Sequence, residues 1–110
     1  MGDLFLKLLI KLNLMSIKNG ENETLKDKIK NELKNEKILA INMEGDIPVV
    51  RIVLKGKKAE LESHENYLIE REYNIRTSLL KVTNHFKLYL IDEKYKIIQI
   101  TDQDGNKVTE

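Results

Sequence analysis

The chain has no cysteine, no tryptophan, one proline and five glycines in 110 residues. Without cysteine there is no disulfide and no thiolate metal ligand, so stability has to come from a packed core. The glycines are scattered, and no Gly-rich phosphate loop and no nucleophile elbow can be assembled from them. No charge sign dominates either. Nineteen basic residues face eighteen acidic ones, for a formal net charge of +1. Gripping nucleic acid or an anionic membrane by bulk charge is therefore disfavoured. What is present is a globular balance, 41% hydrophobic and 34% charged, over a length of about one domain.

The longest apolar run is Leu4–Met15, broken by Lys7 and Lys11. It falls short of the roughly 20 apolar residues of a membrane span. It also reads poorly as a signal peptide, because charge sits inside the run and no small-residue cleavage site follows. Its alternation, Leu4 to Leu14, would suit a strand. Leucine dominance and scarce β-branching favour a helix of about 12 to 14 residues. So wide an apolar face needs cover, and Leu4, Phe5, Leu8, Leu9 and Leu12 are the candidate protein-contact residues.

A second helix is expected at about 24–35, with Thr24 as its N-cap and Leu25, Ile29 and Leu33 as its apolar stripe. From Ile38 the texture turns to strands: 38–43, 49–55 after an EGDIP turn, a hairpin at Gly56 into 59–62, then 86–91 and 95–101 around a short loop at 92–94. Residues 65–82 fit either period. Their aromatic and β-branched content favours strands. The expected architecture is α+β and mainly β: a small OB-like or sandwich-like antiparallel barrel of five to six strands with one or two N-terminal helices. It divides into a helical segment at 1–35, a β domain at 36–103 and a tail at 104–110.

Candidate chemistry is sparse. Asp102-Gln-Asp104-Gly105-Asn106 has the look of part of a calcium loop, but the closing glutamate and flanking helices are missing, so it reads as a turn. His64 and His85 are the only histidines and look like loop residues. Ser16, Ser63 and Ser78 lack a plausible histidine partner, and Glu70 and Glu72 would be paired acids on one strand face. No cofactor is implied, and the expectation is not an enzyme. Arg51, Lys55, Lys57 and Lys58 make a small basic cluster that could serve a nucleic-acid module, with Tyr67, Tyr73, Tyr89 and Tyr95 as candidate stacking rings. Glu60, Glu62 and Glu65 follow closely and weaken that field.

One ordered set of features carries a resemblance. Residues 36–41 lead to Ile47-Pro48, then VVRIVLKG at 49–56, Leu61, Tyr67–Ile69, and the long segment at 79–100. This order resembles the small OB-like tail and baseplate proteins (Xkd-type) of Gram-positive phages and phage-tail-like particles, over about residues 36–100. Thr83 stands where that family has glycine, the second helix is longer and more charged, and the middle section is shorter. The resemblance implies a non-enzymatic structural adaptor of a multi-protein assembly. Its partners would be other proteins or further copies of itself, with no membrane, and it would lie in the cytoplasm or in the particle. An OB-like nucleic-acid-binding module and a small inhibitor or immunity protein are the alternative readings.

Overall fold

The computed structural model describes residues 21–110, so the run Leu4–Met15 and its five candidate contact residues lie outside the described residues. Helix α1 (Glu21–Glu32) carries the expected stripe, and Ile29 and Leu33 are buried in the main core. Thr24 lies inside this helix rather than capping it.

Strands β1 (Lys37–Glu44) and β2 (Ile47–Val53) form an antiparallel hairpin across the Gly45-Asp46 turn. Gly45 has φ 62°, a left-handed turn conformation that glycine adopts without strain. Pro48, Val49, Val50, Ile52 and Val53 are all buried, so β2 is covered on both faces. A nearly continuous apolar run, broken here only by Arg51, belongs to an interior strand, often a parallel one.

The expected hairpin at Gly56 is absent. After β2 the chain forms two helices, α2 (Lys58–Ser63) and α3 (Glu65–Leu79), before entering β3 (Lys87–Ile91). The strand expectations for 59–62 and 65–82 are thus corrected to helix. The buried positions of α3 are Leu68, Glu72, Ile75 and Leu79, spaced at i, i+4, i+7 and i+11. Ile69 and Tyr73, part of the β-branched and aromatic content that favoured strands, lie exposed on its outer flank.

Strand β3 pairs parallel with β2, Val50 opposite Leu88 and Ile52 opposite Leu90. Strand β4 (Ile97–Asp102) then pairs antiparallel with β3. The sheet order is β1-β2-β3-β4. The result is α+β, a four-stranded mixed sheet with three helices among the described residues, and not a barrel of five to six strands. A parallel pair cannot be joined by a tight turn, so the connection must cross a face of the sheet, which α2 and α3 do.

The helices pack on one face, where Ile29, Ile52, Leu68, Ile75, Leu79, Phe86 and Leu90 belong to one core cluster. A smaller cluster on the other face joins Val49, Tyr89, Ile91 and Ile100, with Ile97 and Val108 against it. Val108 reaches it because the chain turns back after Asp102. Lys107 bridges Thr101, and the Val108 N–H donates to the Ile100 carbonyl at 2.9 Å.

Two carboxylates tie the helices to the sheet. Glu36 pairs with both terminal nitrogens of Arg71 on α3. Glu72, only 7% exposed, accepts from Arg76 Nε at 2.9 Å and from the Thr101 hydroxyl at 2.8 Å. Glu70, its supposed face-mate, is exposed, because on a helix two residues two apart point apart.

Truncating the fully buried Ile52 to alanine should cost about 3 kcal/mol in urea unfolding. Ile69→Ala, on the exposed flank of α3, should change stability by no more than about 0.5 kcal/mol.

Candidate functional site

Because β2 and β3 run parallel, their carboxyl ends lie side by side. Val53 is opposite Ile91, and the Leu54 N–H donates to the Ile91 carbonyl at 2.8 Å. Two loops emerge there: residues 55–58 leading into α2, and residues 92–96 joining β3 to β4. In open sheets with parallel strands, this end is the usual place for ligands.

Asp92 organises both loops. It is 1% exposed, and its side chain accepts three backbone N–H groups. Oδ1 takes those of Lys94 (2.9 Å) and Lys96 (2.8 Å), and Oδ2 takes that of Lys58 (2.9 Å). The last of these is the first residue of α2, whose own N-cap, Lys57, offers no side-chain bond. A carboxylate 34 residues away in sequence therefore caps this helix. Burial pushes the Asp92 carboxyl up. The N–H groups of Lys96, Lys58 and Lys94, with the Lys96 charge, outweigh it and hold the carboxyl below the usual carboxylate value. Beside it, Glu93 completes the tie. Its N–H donates to the Gly56 carbonyl at 3.0 Å, and its Oε2 accepts the Gly56 N–H at 3.3 Å.

The turn at 92–96 has a counterpart in the turn at 102–106. In each, the aspartate side chain accepts the N–H groups two and four residues on: Lys94 and Lys96 for Asp92, Asp104 and Asn106 for Asp102. In each, the backbone of the first residue bonds that of the fourth and the fifth. The fourth residue is left-handed in both, at Gly105 (φ 82°) and Tyr95 (φ 66°). Glycine takes that conformation freely, and at Gly105 an added Cβ would also meet the Arg76 guanidinium at 3.0 Å. Tyrosine takes it at a cost on the order of 1 kcal/mol. Tyr95 is the one described non-glycine residue with positive φ, and its side chain is 61% exposed.

The structure separates the residues grouped in sequence as a nucleic-acid site. Lys55, Lys57 and Lys58 do share one loop at this end. Arg51 instead lies in β2 on the face away from the helices, stacked over the Tyr89 ring at 4.5 Å to the centroid. Tyr67 sits on α3 beside Arg71, whose guanidinium is stabilised in its charged form by Glu36 and by Tyr67. Lys94, Tyr95 and Lys96 join the three lysines in their place. A signal for them existed in the sequence, since DEKYK and DQDGN both open on aspartate, and the second marks the left-handed position with glycine.

The remaining candidates carry less. His64 forms the kink between α2 and α3. With Ser63, Glu65, Asn66 and Tyr67 it lines an open recess of about 330 Å³. All five residues are exposed, and the Ser63 hydroxyl donates to the Glu60 carbonyl at 2.6 Å. His85 is exposed just before β3. Asp102 and Asp104 belong to the turn described above. Among the described residues no group of three His, Cys, Asp or Glu could hold a metal ion, and no helix is long and apolar enough to cross a membrane. No family model matches the chain, and no curated protein or solved structure matches it significantly.

Asp92→Asn should lower the melting temperature at pH 7 by roughly 5 °C or more, because an amide cannot accept at both positions. A carboxyl depressed in the folded state stabilises fully above its unfolded value of about 4 and loses that contribution as pH falls through the folded value. The wild-type and variant melting curves should therefore converge below pH 4 in a thermal series from pH 7 to pH 2.

Proposed function

We propose that the chain is a non-enzymatic structural adaptor, held in a multi-protein assembly through the outer flank of α3. The observation that carries this reading is a ridge of large apolar side chains left exposed among the described residues. Ile69 is 59% exposed, Tyr73 is 56% exposed, and Leu80 follows just past the helix end. Their spacing of four and seven residues aligns them along one side of the helix, with the Arg76 guanidinium 5.6 Å from the Tyr73 ring centroid. Apolar and aromatic anchors in a row on a rigid helix suit docking against a partner's groove. The use of the buried polar side chains supports the same reading. Asp92, Glu72 and Thr101 are each engaged in bonds that join one element to another.

The finer proposal, a component of a phage tail baseplate or a related contractile particle, comes from the sequence resemblance. The features on which it rests fall on β1, on β2 with Pro48 near its start and Gly56 just past its end, and on the β3–β4 hairpin. It loses the barrel on which the likeness in fold would rest.

Co-expression with the products of the neighbouring genes, followed by size-exclusion chromatography with light scattering, tests both levels. The wild-type chain should elute in a complex, and Ile69→Glu combined with Tyr73→Glu should elute alone with an unchanged melting temperature. If the double variant stays in the complex, the ridge is not the docking surface. If the neighbours are not structural proteins of a particle, the finer reading fails.

A further inference from the structure

We propose that the loops at residues 55–58 and 92–96, at the carboxyl ends of β2 and β3, form a binding surface for single-stranded nucleic acid, with Tyr95 as the stacking platform and Lys55, Lys57, Lys58, Lys94 and Lys96 around it. This surface is separate from the α3 ridge and stands or falls independently of the adaptor reading.

The first observation is an internal comparison. The chain builds the same five-residue turn twice. At 102–106 the left-handed position holds Gly105, and at 92–96 it holds Tyr95. The strained residue gains little packing in return, since its ring is mostly in solvent. Asp92 and the parallel seam over-determine the turn, so the fold tolerates the tyrosine without requiring it. A strained, exposed aromatic held by a rigid frame points to a role outside the fold.

The second observation is charge. Residues 55–58 and 92–96 hold five lysines in nine positions, against Asp92 and Glu93, a formal balance of 5 − 2 = +3. Both acids are turned to backbone N–H groups, Asp92 to three of them and Glu93 to that of Gly56. The ion pairs among the described residues use Arg71, Arg76 and Lys87, and none engages these five lysines. Glu60 and Glu62 on α2 oppose this charge on the side of the helix. The Gly56–Glu93 bonds fix the two loops to each other, so the backbone positions that carry the lysines are set before a ligand arrives.

An exposed ring between two lysines, beside three more, matches a flexible polyanion that also carries flat rings. Stacking on an aromatic is tolerant of sequence, and lysines track the phosphates. An acidic peptide would satisfy the lysines but would leave Tyr95 unexplained.

Fluorescence anisotropy on the full chain decides the matter, with a labelled oligothymidylate of 20 nucleotides and a labelled poly-glutamate of similar charge as probes. The oligonucleotide should bind at 20 mM salt and weaken steeply by 200 mM, because phosphate contacts release counterions. Tyr95→Gly should bind at least about ten-fold more weakly while melting at the same temperature or higher. Tyr95→Trp should retain binding, and Lys57→Glu with Lys94→Glu should abolish it. The proposal is overturned by no oligonucleotide binding at 20 mM salt, by unchanged affinity in Tyr95→Gly, or by a lower melting temperature in that variant. Tighter binding of poly-glutamate than of the oligonucleotide would assign the surface to an acidic protein and overturn it equally.

Discussion

Parallel pairing of β2 with β3 is the constraint from which the rest of the molecule follows. Two adjacent strands running the same way cannot share a hairpin, so the chain between Val53 and Lys87 has to leave the sheet, return along one face and re-enter. That return path is α2 and α3, and its apolar side supplies Leu61, Leu68, Ile75 and Leu79 to the core. The same geometry makes β2 and β3 interior strands, which accounts for burial on both their faces. It also brings two loops together at one end of the seam, and Asp92 joins them there.

The polar contacts act at the margins of this arrangement. Glu36 and Arg71 fasten the helical layer near the start of β1, while Glu72, Arg76 and Thr101 fasten it to β4. Both ion pairs are partly buried, so desolvation offsets much of their attraction, and removing one partner still leaves the other charge uncompensated. Their effect is to select one placement of α3 over the sheet. With that helix fixed, its outer flank and the strand-end turns become two surfaces of settled shape, one apolar and one cationic.

The strands were legible in the sequence because alternation and β-branching are local signals, and α1 was legible from a single stripe on a charged background. The crossover was not. The core stripe of α3 runs through Glu72, a residue whose burial makes sense only with Arg76 beside it and Thr101 29 residues away. Ile69 and Tyr73 on the opposite flank then filled in an apparent strand period. Parallel pairing leaves almost no local mark beyond the apolar run at 48–53, interrupted only by Arg51. At the candidate site the lysines of residues 55–58 were visible as a cluster. Arg51 and Tyr67 were misgrouped with them because closeness in sequence says nothing about which face of a strand or helix a side chain takes. Tyr95 was one of four candidate rings in the sequence, and only the turn singles it out, because a left-handed backbone is a property of the turn, not of the residue.

The short return of the chain after Asp102 bears on assembly. Lys107 and Val108 lie against the outer edge of β4, through the bridge to Thr101 and the bond to Ile100. Among the described residues β1 pairs only with β2, and its outer edge bears no further strand. Open-ended polymerisation by edge pairing needs a free edge on each side of every unit. The returning chain covers the Ile100–Thr101 part of the β4 edge, so among the described residues the β1 edge is the side more open to an added strand.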